Sequence, residues 1–424
     1  MRKVYLSVFG FAMLCRINAS AQNATGSAQN KTPFIISSPS SVTDSSDYKK
    51  RKIHVDEVDF VTSYYNQDGD HSAVTGGIGT EAVTDVANNL TLNLVWLNKA
   101  SNKNTLAVGL GFDYHTAASQ AYISKTGASS PTGTRLYPSI DWTVENAKKG
   151  NSFGLGAYYS GEFNYQSRGI DAHFSQKTAD KNGEFSAQLQ GYFDRVTLIY
   201  PEEFEPASDA ATNGYGGQGF DHHNYGSSPR TTLSAALSYS QMINSRLQIM
   251  FLADLVNQHG FLSLPFHRVY FTTGKDTIER LPSSRFKIPV GLRLNYFLGD
   301  NIILRTYYRY YTDNWGIRSN TAGIEVPYKI TPFFSISPFY RFYNQSASKY
   351  FSAYEQAAPT EQFFTSNYEY AKFESSFYGA GIRIAPPNGV FGWQGLHELE
   401  LRYGHYTQTT NLRSNVISLS LGFK

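Results

Sequence analysis

Cysteine is all but missing from the chain. The one cysteine, Cys15, lies in the first apolar stretch, so the body of the chain has neither a disulfide framework nor a cysteine metal cluster. Methionine and tryptophan are scarce, with four of each, and charged residues make up only 17%. Past the first residues, no apolar run approaches the roughly 18 residues a membrane helix needs. Any membrane crossing would therefore use strands closed into a barrel, which alone satisfies strand backbone groups in lipid. The abundant residues favour strands too: 31 Tyr and 29 Phe suit a pleated surface, and 35 Gly suit turns and tight corners.

Met1-Arg2-Lys3 precede the mostly apolar Val4 to Leu14, and Ala19-Ser20-Ala21 stand before Gln22. These are the three regions of a secretory signal peptide, and we expect a cleavable leader over 1–21. Cys15 is not read as a lipid anchor, because Leu14 stands where a lipidation site needs Gly, Ala or Ser. The leader carries Arg2, Lys3 and Arg16 and no acid, so its removal brings the 37 basic residues level with the 34 acidic ones. A chain this close to neutral has no global field to draw it to nucleic acid. Residues 22–52 are rich in Ser, Asn, Thr and Pro and end in Lys49-Lys50-Arg51-Lys52. They read as a flexible periplasmic tail ahead of one domain over 53–424.

From Ile53 onward, segments of strand length alternate between an apolar and a polar face, the pattern of half-buried strands. Leu106, Val108, Leu110, Phe112 and Tyr114 oppose Ala107, Gly109, Gly111, Asp113 and His115. Leu399, Leu401 and Tyr403 oppose Glu398, Glu400 and Arg402. Sixteen strands are predicted, beginning near Ile53, Val86, Asn104, Thr134, Asn151, Arg168, Glu184, Pro229, Arg246, Arg285, Asn301, Arg318, Phe333, Lys372, Leu396 and Asn411. Tight turns are expected at Ala147 to Gly150, Asp180 to Gly183, Asn244-Ser245, Gly299-Asp300 and Thr331-Pro332. The long connections are Asn66 to Asp85, Ala118 to Gly133, Tyr200 to Ser228, Gly260 to Ser284 and Ser346 to Ala371. Long loops on one side and short turns on the other predict an all-β, transmembrane, antiparallel up-and-down barrel of about 16 strands in a bacterial outer membrane. A soluble sandwich has no reason to sort its loops this way.

The last strand places Ile417, Leu419, Leu421 and Phe423 on one face and Ser418, Ser420 and Gly422 on the other. It resembles the C-terminal signal read by barrel-assembly machinery, with Lys424 following the aromatic residue. The blocks Asp59 to Tyr65, Asp70 to Glu81, Pro265 to Phe271 and Arg383 to Pro387 resemble a Bacteroidota outer-membrane family catalogued as a domain of unknown function. That resemblance implies a barrel and supplies no catalytic residues.

Charges on the polar faces are sorted along the chain. The first nine strands carry Asp113, Asp141, Glu145, Glu162, Asp171, Asp194 and Asp254, with Arg135 and Lys177. Strands from Arg285 onward carry Lys287, Arg293, Arg305, Arg309, Arg341, Arg383 and Arg402, against Glu325, Glu398 and Glu400. In an up-and-down barrel this sets an acidic wall against a basic one, and across water such a field orients and filters polar solutes, as in a porin-like channel. The alternative is a salt-bridged, closed interior in a binding or scaffold subunit of an envelope complex. A barrel-embedded hydrolase is a third, weaker reading.

No metal, cofactor or enzymatic activity is expected. Asn66, Asp68 and Asp70 begin like a calcium loop, but His71 and Gly77 occupy positions that need glycine and glutamate. Asp221-His222-His223 could meet one ion only in a loop conformation. Ser72, His71 and His115 are the only tempting nucleophile and base set. Trp96, Tyr64, Tyr65, Tyr307, Tyr308, Tyr310, Tyr311, Tyr340, Phe342 and Tyr343 are read as interface girdles. The expected partners are outer-membrane lipid, barrel-assembly machinery and envelope proteins.

Overall fold

A computed structural model describes residues 52–205 and 226–424. The leader, nearly all of the expected tail, and Asp221, His222 and His223 lie outside the described residues. Nine strands come first: β1 (His54–Asp68), β2 (Val83–Leu97), β3 (Lys103–Ala117), β4 (Thr132–Asn146), β5 (Asn151–Glu162), β6 (Tyr165–Lys177), β7 (Gly183–Thr197), β8 (Ser227–Asn244) and β9 (Leu247–Gly260). A separate small hairpin, β10 (Arg268–Tyr270) and β11 (Asp276–Ile278), sits in the next connection. The wall resumes with β12 (Ser284–Leu298), β13 (Ile302–Asp313), β14 (Arg318–Glu325), β15 (Tyr328–Thr331), β16 (Phe334–Gln345), β17 (Phe373–Ile384), β18 (Leu396–Gln408) and β19 (Arg413–Phe423).

Every neighbouring pair in the wall is antiparallel, and β1 closes the circle by pairing with both β2 and β19. Tyr64 stands opposite Val86 on one side and Ile417 on the other. β14 and β15 are two halves of one strand between β13 and β16, interrupted around Pro327, which has no N–H for the ladder. The result is a closed barrel of 16 strand positions. Among the described residues no helix is long and apolar enough to cross a membrane.

The period-2 alternation of the sequence becomes an inside and an outside. On β3, Val108, Leu110, Phe112 and Tyr114 are exposed on the outer surface, whereas Asp113 between them is buried inside. On β8, Leu233 and Leu237 face out, and Arg230, Thr232, Ser234 and Ser238 face in. The outer belt of Leu, Ile, Val and aromatic side chains encircles the barrel, far beyond the apolar patch a water-soluble surface carries. Its natural solvent is hydrocarbon.

The connections are sorted by end. At one end lie the short links, such as 147–150 and 299–301, together with one longer link over 385–395 that holds a single 3-10 turn. The other end carries the long loops 69–82, 118–131, 261–283 and 346–372 and the described part, 198–205, of the connection after β7, beside three short links at 163–164, 314–317 and 409–412. We call these the turn end and the loop end.

Candidate functional site: the charged lumen and its cap

Strand parity places charged side chains of both signs inside the barrel, and their partners differ by level. At the turn end, Arg383 grips Glu398 through two nearly parallel bonds, Nε to Oε1 at 2.8 Å and Nη2 to Oε2 at 2.6 Å. The Arg402 guanidinium, from the neighbouring strand, donates to Glu325 at 3.0 Å and Glu400 at 3.2 Å. Arg305 reaches the same Glu325 at 3.8 Å. Arg305 and Arg383 keep 46% and 43% of their side chains exposed, so neither is packed over by its neighbours at this end of the lumen.

Higher up, Arg293 lies over the Tyr307 ring and Arg341 over Phe377, at 5.3 and 5.1 Å from the ring centres. Arg309 and Arg293 are the electrostatic partners of Asp254 on β9, which is where the basic strands meet the acidic ones. Lys287 and Arg285 come next toward the loop end of β12. Arg285 is buried, ion-paired to Asp313 at 2.6 Å, and stacked over Trp315 and Tyr370.

On the other side, Asp113 accepts the Tyr137 hydroxyl at 2.5 Å. Glu145 meets Lys177 at 3.4 Å, and Glu162 ends β5 at the loop end. Asp141 and Asp171 converge on His173. Asp194 is paired with Arg230 at 3.3 Å, both of them buried. The sequence reading omitted Arg230, His173 and the Arg285–Asp313 pair. Parity was the available signal, since His173 follows Asp171 by two residues on one strand.

Four of the ten aromatic residues assigned to interface girdles, Tyr65, Tyr307, Tyr311 and Tyr343, belong to the interior instead. Tyr64, Tyr308 and Tyr340 face outward, but Tyr65, Tyr311 and Tyr343 turn inward and donate to Gln67, Asp313 and Gln345. The physical reason is the strand period: in Tyr307-Tyr308 and Tyr310-Tyr311, adjacent rings must point to opposite faces.

At the loop end the connections knit into a cap. Arg268, buried in β10, donates to the carbonyls of Val74 (2.8 Å), Tyr122 (2.6 Å) and Ile123 (3.0 Å) and to both carboxylate oxygens of Glu203 (2.7 and 3.2 Å). One side chain thus ties four loops together. Glu279 accepts from the Leu264 amide at 2.7 Å and the Thr365 hydroxyl at 2.5 Å, joining the 261–283 and 346–372 loops. Val269 from the first of these loops and Ala357 and Phe364 from the second form a buried apolar cluster between them. The motif candidates are absorbed into this cap. The His71 ring stacks on Tyr368 at 3.8 Å, with Nδ1 against the Gly77 carbonyl and Nε2 toward Asp70, so neither nitrogen serves Ser72. His115 lies on the inner face of β3, against Gly133. Asn66 and Asp70 diverge, toward Thr84 and Asn411.

Burial opposes ionisation of Glu203, but the Arg268 fork outweighs it and holds the carboxyl below its ordinary value. A depressed carboxyl stabilises the fold above the unfolded-state pKa and loses that contribution as pH falls through the folded value. Acidification below the ordinary glutamate range should therefore loosen the cap. Limited proteolysis of the 118–131 loop with an acid-active protease would show it, and Glu203→Gln should remove that acid-dependent part.

The four blocks noted in the sequence fall on β1, the first loop of the cap, the Arg268 clamp and the end of β17, and a family profile spans residues 31–417 of the chain. The chain belongs to the family described as "Protein of unknown function (DUF3570)". No curated protein matches it. Among solved structures, Pseudomonas aeruginosa OccK1 (OpdK) aligns over 89% of this chain and 99% of its own at 6% identity, with a TM-score of 0.39. A BenF-like porin from Pseudomonas fluorescens Pf-5 aligns over 89% and 100% at 7% identity and a TM-score of 0.41. A mutant of the P. aeruginosa ferric enterobactin receptor PfeA covers 82% of this DUF3570 chain and 53% of its own, at 12% identity and a TM-score of 0.42. These are likenesses between distant barrels, and no residue role follows from them.

Proposed function

We propose that this DUF3570 protein is a non-enzymatic outer-membrane channel for small polar solutes, exported by a cleavable leader and assembled by barrel-assembly machinery through β19. Its Bacteroidota origin rests on the resemblance of the four sequence blocks. The observation that carries the channel reading is the division of the barrel: an apolar belt outside around an inside lined with charge, with half-exposed arginines at the turn end. In this reading the turn end faces the periplasm and the cap faces outward. Lys287, Arg293, Arg305, Arg309, Arg341, Arg383 and Arg402 form the positive side. Asp113, Asp141, Glu145, Glu162 and Asp171 form the negative side, and a solute crossing between them is oriented by the field.

The test is the reversal potential across a planar bilayer under a salt gradient. Neutralising Arg305, Arg309 and Arg341 to Gln should shift selectivity toward cations, because the acidic side then dominates. Unchanged selectivity in a folded, conducting variant would remove these residues from the permeation path. A closed binding or scaffold barrel is favoured by one observation, the depth of burial at the loop end, where Trp315, Arg230 and Arg285 are only 1, 5 and 7% exposed.

A further inference from the structure

On the inner wall, Asp141 from β4 and Asp171 and His173 from β6 meet across β5. His173 Nδ1 lies 3.1 Å from Asp171 Oδ1 and 3.7 Å from Asp141 Oδ2, and the three ligand atoms all fall within 4.8 Å of one another. Side chains two strands apart touch here because β5 contributes none of its own at that level. A Cβ on Gly154 would fall 2.1 Å from His173 Nε2, and one on Gly156 only 1.9 Å from Asp171 Oδ2. Glycine weakens a strand interior, so two on one face mark space given to other side chains.

The surrounding hydrogen bonds fix the imidazole. Thr143 donates its hydroxyl proton to Asp141 Oδ1 at 3.0 Å. Thr143 Oγ1 also lies 2.9 Å from His173 Nε2; with its proton already given to Asp141 it accepts there, and Nε2 carries the hydrogen. Asp171 accepts hydrogen bonds from the Tyr158 hydroxyl and from Gln188 Nε2, the latter at 2.9 Å. In the neutral ring, the Nδ1 lone pair would then face two carboxylate oxygens. That arrangement is repulsive unless a cation sits between them.

We propose that Asp141, Asp171 and His173 Nδ1 bind one divalent transition-metal ion of the zinc class, with a fourth position left to water. Zinc holds nitrogen and oxygen ligands at about 2.0–2.2 Å in tetrahedral sites, which places ligand atoms roughly 3.3–3.6 Å apart. The two separations from His173 Nδ1, 3.1 and 3.7 Å, bracket that spacing. A ring nitrogen anchored by Thr143 and a carboxylate anchored by Tyr158 and Gln188 are the outer supports such ligands take. Asp171 is fully enclosed, whereas Asp141 and His173 keep 16 and 18% of their side chains exposed, leaving an approach from the lumen.

The test is titration of the full-length, detergent-folded protein with Co2+ alone and then Zn2+, after chelator treatment. One equivalent of Co2+ should give the strong visible absorption of a four-coordinate site, and Zn2+ should displace it. His173→Gln and Asp141→Asn should abolish the signal while the barrel keeps its heat-modifiable gel mobility; if one fails to assemble, the other carries the test. Thr143→Val keeps all three ligands and should weaken binding about 10- to 100-fold. Folded protein that binds no Co2+ would overturn the proposal, leaving a proton as the cation between these groups. Binding that survives both ligand variants would overturn it as well.

Discussion

Replacing Arg268 by alanine is expected to release the cap while leaving the barrel assembled. The guanidinium is 3% exposed and serves three backbone carbonyls and one carboxylate from three other loops. Its removal leaves Glu203 with only the exposed Lys125, 3.7 Å away, and leaves those carbonyls unpaired. Breaking a buried ion pair from one side costs about 3–5 kcal/mol. The barrel wall does not depend on these contacts, since its ladder closes through β1 and β19. Heat-modifiable gel mobility should persist, while loops 69–82, 118–131 and 261–283 become open to protease. Protected loops in the variant would show that the apolar cluster of Val269, Ala357 and Phe364 holds the cap by itself.

The second large effect concerns adjacent residues on β18. Leu401 faces outward and is 44% exposed, so Leu401→Arg puts a charge into hydrocarbon near the middle of the strand. That costs about 2–4 kcal/mol and should block insertion. Sequence parity alone predicts that Arg402→Leu, on the lumen side, is tolerated, and the structure corrects this. Arg402 is held by Glu325 and Glu400, and Glu400 is itself buried. Arg402→Leu leaves Glu400 without its partner and should also impair assembly. Arg402→Leu combined with Glu400→Leu should recover most of the loss, because removing both partners of a buried pair costs far less than removing one. Assembly yield on unheated gels would separate the three variants. Equal yields would place the register of β18 in error.

Alternation made the wall legible. The predicted strand starts at Asn151, Arg318 and Leu396 coincide with those observed, and the largest differences are Val86 against Val83 and Arg168 against Tyr165. Hydrophobic period and turn chemistry are local properties, so local sequence carries them. Contacts between segments distant in sequence were not legible. Arg268 reaches Val74 and Glu203, the His173 cluster spans a strand made permissive by glycines, and the β10–β11 hairpin lies inside what reads as a long loop. The pairing of Arg402 with Glu325, and of Arg285 with Asp313, likewise depends on which strands become neighbours and at what height.

Single-channel recording in planar lipid bilayers, on the wild type and on Arg268→Ala, bears most directly on the channel reading. The account predicts discrete conductance steps from the wild type and larger or longer openings once the cap is released. If both proteins insert with heat-modifiable mobility and neither conducts, the lumen is closed below the cap and the protein is not a channel.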